Sequence, residues 1–280
     1  VSRNQNRVGE TNKPAHAEVP LQFNPLNFVA PTEFVDLPSE GQGYPEGHPL
    51  QNVDTIEIRY MTAKDEDILT SQTLLKKGIA VERFIENIIV DKKINPSSLL
   101  VGDRNAILIA ARISGYGADY EGVVNCTDCG TQNRLNFDLR ESTIRQQDLH
   151  ESLKVTKNAS GTYNVLLPFS KFTAEIRLFT GEDENYLSKY MANLRKNKLP
   201  ENLLTTQFKR MIVSVEGHTD KEVLSTFIDN MPTADSRHLR LTHRKITPDI
   251  EIKEILDCKN CSTSTEVDVP FGADFFWPDR

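Results

Sequence analysis

Four cysteines, set as two Cys-x-x-Cys pairs at Cys126/Cys129 and Cys258/Cys261, are the residues of this chain best suited to chemistry. Thiols at that spacing can hold a soft divalent ion, close a disulfide or act as a redox dithiol, and one pair alone would not separate these uses. Two pairs make a fuller set. A redox site needs one pair, whereas four thiolates with no cysteine left over satisfy a single tetrahedral Zn2+. None of the six histidines lies near either pair in sequence, which argues against a mixed Cys/His site. Four thiolates leave no open coordination position, so the expected zinc is structural. Two disulfides and free thiols are the alternatives, and a reducing compartment would favour the metal.

The stretch between the pairs far exceeds a zinc-ribbon spacer, and an internal duplication accounts for it. Each pair begins 23 residues after an aspartate, Asp103 and Asp235, and each aspartate is followed nine residues later by an arginine, Arg112 and Arg244. Upstream, the run from Glu57-Ile58-Arg59 through Thr62 and Asp65 to Leu69 answers the run from Glu175-Ile176-Arg177 through Thr180 and Asp183 to Leu187. Earlier still, Val35-Asp36-Leu37-Pro38 answers Val165-Leu166-Leu167-Pro168. The offsets of 130, 118 and 132 place length differences between the blocks, where loops absorb them.

These blocks predict the elements that position the thiols. Ile56, Ile58 and Tyr60 alternate as a strand, and Thr62 with Asp65 forms a capping box for the helix that follows; Ile176, Leu178, Thr180 and Asp183 repeat the pattern. The first-turn acids (Asp65, Glu66 and Asp67; Glu182, Asp183 and Glu184) suit a helix N-terminus better than a paired-acid catalytic site. Val81, Phe84, Ile85, Ile88 and Ile89 make one apolar helix face. Asp103 and Asp235 read as N-caps of further helices, the first stopping at Gly115 and Gly117. Arg112 and Arg244 then fall near the C-terminal ends, where a cation suits the dipole and can pair with a carboxylate. Tyr120, Gly122 and Val124 lead into the first pair and Leu135, Phe137 and Leu139 lead away; Ile250 and Ile252, then Val267, Val269 and Phe271, do the same for the second. Each pair thus caps a two-stranded hairpin.

The fold class expected is α+β: a duplicated strand-helix-helix-hairpin unit with pseudo-two-fold symmetry around a zinc-ribbon-like site. Residues 1–32 read as a flexible arm, 33–140 as the first repeat, 141–162 as a connector and 163–280 as the second repeat. The arm is rich in Asn, Gln, Pro and charge over residues 1–28, with Leu21, Phe23, Leu26 and Phe28 as apolar anchors for a partner. Phe275, Phe276 and Trp277 near the C-terminus need a docking surface on this chain or on a neighbour.

A net charge of −7 argues against general nucleic-acid binding; the basic clusters at 76–77, 92–93, 195–198 and 237–245 read as solvated faces. No Gly-rich phosphate loop, nucleophile elbow or His-Glu-x-x-His helix is present, and Gly41-Gln42-Gly43-Tyr44-Pro45 reads as an extended loop. No apolar run reaches the length of a membrane span and no signal-peptide pattern occurs, so no membrane insertion is expected.

The run Leu37-Pro38-Ser39-Glu40-Gly41-Gln42-Gly43-Tyr44-Pro45, the strand and helix start from Ile58 to Leu69, Gly102-Asp103-Arg104, Tyr116-Gly117-Ala118-Asp119-Tyr120 and the closing Val269-Pro270-Phe271-Gly272-Ala273-Asp274-Phe275-Phe276-Trp277-Pro278 carry a resemblance. Over residues 33 to 280 the chain resembles the baseplate hub assembly proteins of T-even-type contractile-tailed bacteriophages. The resemblance implies a non-enzymatic morphogenesis factor in the host cytoplasm or the virion tail. It would act as a zinc-stabilised adaptor or chaperone contacting hub subunits or the tape-measure protein. The alternative class is a cytoplasmic zinc-ribbon regulator that binds nucleic acid, and a metalloenzyme is a distant third.

Overall fold

The computed structural model describes residues 29–269 and 273–276, so Leu21, Phe23, Leu26, Phe28, Phe271 and Trp277 lie outside the described residues. It is a mixed α and β fold. Strands β1 (Thr32–Asp36) and β2 (Thr55–Arg59) pair antiparallel with Val35 opposite Ile56, and three helices follow: α1 (Ala63–Thr70), α2 (Gln72–Lys77) and α3 (Ala80–Ile88). The apolar face read in the sequence is the face α3 buries: Phe84, Ile85 and Ile88 are fully enclosed. Each such side chain contributes about 1.5–3 kcal/mol of burial. The long helix α4 (Val101–Tyr116) runs through the core on Ala106, Ile107, Ile109 and Ala111, and Gly117, with φ of 84°, ends it.

The hairpin of β3 (Asp119–Asn125) and β4 (Gln132–Asp138) follows, with Tyr120, Gly122 and Val124 facing inward. Next come β5 (Thr143–Arg145) and β6 (Val155–Lys157), then β7 (Tyr163–Leu166) and β8 (Thr173–Ile176). Helices α5 (Gly181–Lys196) and α6 (Leu203–Met211) lead to β9 (Ile212–Val215), which completes an antiparallel sheet in the order β6-β7-β8-β9. Helices α7 (Lys221–Asn230) and α8 (Thr233–Ile246), strand β10 (Asp249–Glu251) and the hairpin of β11 (Lys253–Asp257) and β12 (Ser264–Asp268) close the order, before a 3-10 turn at Ala273–Phe276. The strands of residues 141–162 are not idle spacers: β5 pairs with β10 and β6 with β7.

Four readings of the sequence are corrected here. Asp103 and Asp235 are not N-caps. They sit at the third position of α4 and α8, whose caps are Leu100 and Pro232, and their carboxylates reach away from the helix to hold a distant turn. Ile250 belongs to β10, paired with β5, so the second hairpin begins after Ile252. Residues 38–43 fold as consecutive turns instead of an extended loop, and the buried Tyr44 follows them. Arg112 meets carbonyls instead of a carboxylate, while Arg244 is exposed and makes no ion pair among the described residues.

The two regions of the chain are tied together at α4. Val101 N–H donates to Phe179 O, Gly181 N–H to Leu99 O, and Arg104 pairs with Glu184 at 2.9 Å. Gly102 is required here: a Cβ at this position would stand 2.1 Å from the carbonyl oxygen of Pro248. From the other end of α4, the buried Arg112 donates to Phe275 O at 2.9 Å, Gly117 O at 2.7 Å and Asp119 O at 3.2 Å. Phe275 packs edge-on to Tyr120 and Phe276 edge-on to Phe84, so these two C-terminal aromatics dock on their own chain.

Candidate metal centre

Each Cys-x-x-Cys pair closes a hairpin through the same backbone bonds. At the tip of β3–β4, Cys126 N–H donates to Thr131 O and Gly130 N–H to Cys126 O, both at 2.9 Å. At the tip of β11–β12, Cys258 N–H donates to Thr263 O at 3.0 Å and Ser262 N–H to Cys258 O at 2.9 Å. The fourth residue past the first cysteine must turn left-handed: Gly130 has φ of 69° and Ser262 has φ of 56°. Glycine takes this conformation freely, whereas serine holds it at a cost of roughly 1–2 kcal/mol.

The tips meet. Cys126 Sγ lies 3.6 Å from Cys261 Sγ, and Cys129 Sγ lies 3.6 Å from Cys258 Sγ, so the buried thiol of each tip faces the exposed thiol of the other. All four sulfurs fall within 4.8 Å of one another. These separations are well beyond a disulfide bond of about 2.05 Å. They are close to the spacing of about 3.8 Å expected for sulfurs each about 2.3 Å from a tetrahedral zinc. The four cysteines named from the sequence therefore lie together and could bind a metal ion.

The surroundings suit thiolates. The amides of Cys261 and Asn260 face Cys258 Sγ and lower its pKa. The Thr131 hydroxyl, 3.2 Å from Cys129 Sγ, leads the contacts that bring that thiol down to about 5. Cys126 receives the matching amides of Cys129 and Asp128, yet its burial beside the sulfurs of Cys261 and Cys129 pushes it up to about 11. Without an ion, four thiols this close cannot all ionise. A divalent cation reverses that by compensating their charge.

Asn133, buried on β4, joins the tips outside the sulfur set. Its Nδ2 donates to Thr131 O at 2.9 Å and approaches Cys258 Sγ at 3.8 Å, while its Oδ1 accepts from Lys259 N–H at 3.3 Å. No repeated residue points to it, because the corresponding position in the second hairpin is Thr265. Thr131 and Thr263 were findable, since each stands two residues after the second cysteine of its pair, with Cys261 Sγ 3.4 Å from Thr263 Oγ1.

The other repeated residues hold the frame. Asp65 accepts from Arg59 Nη1 and Nη2 at 2.7 and 2.8 Å, and Asp183 from Arg177 Nη1 and Nη2, both at 2.7 Å; each also closes a capping box with Thr62 or Thr180. Asp103 accepts from the amide and hydroxyl of Ser39, just after Leu37-Pro38, and Asp235 accepts from the amides of Phe169 and Ser170, just after Leu167-Pro168. These acids are fully engaged in structural bonds, and none reaches the sulfurs.

The model of one family, described as T4 bacteriophage base plate protein, matches residues 30–277. The chain belongs to that family. The match spans most of the 280 residues and takes in both hairpins, all four cysteines and the docked C-terminal turn. Neither the curated proteins nor the solved structures yielded a match. Baseplate membership points to a structural part in the virion tail and to contacts with other baseplate components. Among the described residues no helix is long and apolar enough to cross a membrane.

Proposed function

We propose that this baseplate-family protein acts at the hub of the tail, as a non-enzymatic adaptor or chaperone whose two halves are clamped by one structural Zn2+ on Cys126, Cys129, Cys258 and Cys261. The observation that carries the reading is the meeting of two hairpin tips, far apart in sequence, in one four-sulfur cluster within a chain of the baseplate family. Zinc suits an all-thiolate set of four, and such a set leaves no position for substrate. The clamp also suits a part that must keep its shape while neighbours assemble on it, because metal binding is coupled to folding.

The halves, residues 33–140 and 163–280, are on this reading copies of one unit related about an axis near the sulfurs. The repeated capping boxes, the Asp-to-turn bonds and the hairpin tips support it. Hub subunits or the tape-measure protein are the partners, met in the host cytoplasm during assembly. Affinity purification of the tagged chain from infected cells tests this. Recovery of hub or tape-measure proteins is expected, and recovery of peripheral baseplate proteins alone would contradict the hub placement.

A further inference from the structure

Among the described residues, strand β1 leaves one edge open. In its ladder with β2, Leu37 N–H bonds Asp54 O and Tyr60 N–H bonds Pro31 O, so odd-numbered residues turn their backbone groups toward β2. The amides and carbonyls of Thr32, Phe34 and Asp36 therefore point outward. Among the described residues none of these groups has a hydrogen-bond partner. Strand β7, which carries the matching Val-x-Leu-Pro block, has no such edge: Thr156 lies opposite Asn164, and Leu166 N–H donates to Lys154 O. The far edges of β2 and β8 are met too, by Ile89 and Val90 in one case and by β9 in the other. Among the described residues, β1 is the one of these four edges left unmatched, and Phe34 at its centre is 71% exposed.

An exposed, apolar strand edge is a template for another strand. We propose that β1 pairs antiparallel with β1 of a second copy of this chain, about a two-fold axis through Phe34. The register follows from parity. The outward groups belong to even-numbered residues, and hydrogen-bonded pairs form between them only when even faces even. Centring on Phe34 sets Phe34 opposite Phe34 and Thr32 opposite Asp36, which engages all three outward residues on each strand. Glu33 then faces Val35, so no like charges stand opposite, the Thr32 hydroxyl meets a carboxylate, and the phenyl rings form a cross-strand aromatic pair. Pro38 is the next even-numbered residue, and its missing N–H ends the ladder there. The strand is thus self-complementary over its own length and no further.

Sedimentation of the full chain over a concentration series tests the pairing. The wild type is expected to reach the mass of two chains, and Phe34→Pro, which removes an outward amide that has no partner among the described residues, should stay at the mass of one, with the melting temperature of wild type diluted below its dimerisation range. Should that variant fail to fold, Phe34→Lys and Phe34→Glu keep the question open to decision. Each alone should be monomeric, because like charges face across the axis, and an equimolar mixture should recover the double mass. A wild type that stays monomeric throughout overturns the pairing, whether or not a strand of another baseplate protein binds this edge. So does a Phe34→Lys variant that dimerises as the wild type does.

Discussion

The two halves of this protein agree where a strand turns into a helix and differ where a helix grips a distant turn. Asp65 and Asp183 are both fully buried, each is forked by the arginine six residues before it, and each caps the helix that carries it. Asp103 and Asp235 also share a position and full burial, but Asp103 accepts from the Ser39 hydroxyl at 2.6 Å and the Tyr44 hydroxyl at 2.8 Å as well as from the Ser39 amide, while Asp235 meets two backbone amides. Burial accordingly raises the pKa of Asp103. At Asp235 burial acts the same way, but the Phe169 and Ser170 amides outweigh it and lower the pKa. The strand-to-helix joint and the cysteine tip are the parts both halves need in one geometry. The surroundings of each long helix are free to specialise, one into core and one toward the surface.

The largest effect should come from breaking the feature both halves share. Cys258→Ser removes one of four sulfurs, and because the proposed metal joins both tips its loss is expected to loosen residues 33–140 as well as 163–280. Limited proteolysis checks this; a first half as resistant as in the wild type would count against the shared clamp. Next come the paired aspartates. Asp65→Asn and Asp183→Asn each leave a partly buried arginine without its fork, at about 3 kcal/mol. The two should not be equal. Asp65 also accepts from neutral Asn87, whereas Asp183 accepts from a second guanidinium, Arg210 Nε at 2.6 Å, so Asp183→Asn should be the costlier in chemical denaturation.

The specialised aspartates should respond to different extents to the same change. Asp103→Asn replaces a carboxyl whose neutral form burial already favours, and is expected to cost less than about 1 kcal/mol. Asp235→Asn forfeits one of two amide bonds, at about 1–2 kcal/mol. Acid sharpens the contrast further. At Asp65 burial acts to raise the pKa, but the Arg59 fork and the Thr62 contacts outweigh it and hold the group at about 2. Below its unfolded value near 4 the unfolded state binds the proton first, so the stability this group supplies is present above about pH 4 and lost as the pH falls toward 2. A urea-unfolding series across that window should show the loss in the wild type and a flatter profile in Asp65→Asn.

Much of this frame was legible in the chain because its matching residue blocks can be compared with one another. The spacing of Asp103 and Asp235 to their cysteines, the two Thr-x-x-Asp boxes and the alternation into the first tip all report on backbone geometry. What the chain hid lies where the matching blocks differ. Nothing in the sequence marks Asn133, whose counterpart is Thr265, or predicts that Arg112 holds the C-terminal turn while Arg244 stays at the surface. The misreading of Asp103 and Asp235 as caps has a plain cause. An aspartate at the third helical position and one at the cap look alike in sequence, and only the Pro38 and Pro168 turns folding back onto the helices tell them apart.

Whether both hairpin tips share one ion is decided by the metal content of the protein. Elemental analysis of the purified full-length chain is expected to give one zinc per chain, with Asn133→Ala retaining the metal more weakly because it supports Cys258 without ligating. A ratio near two, or near zero after purification without chelators, would contradict the shared site.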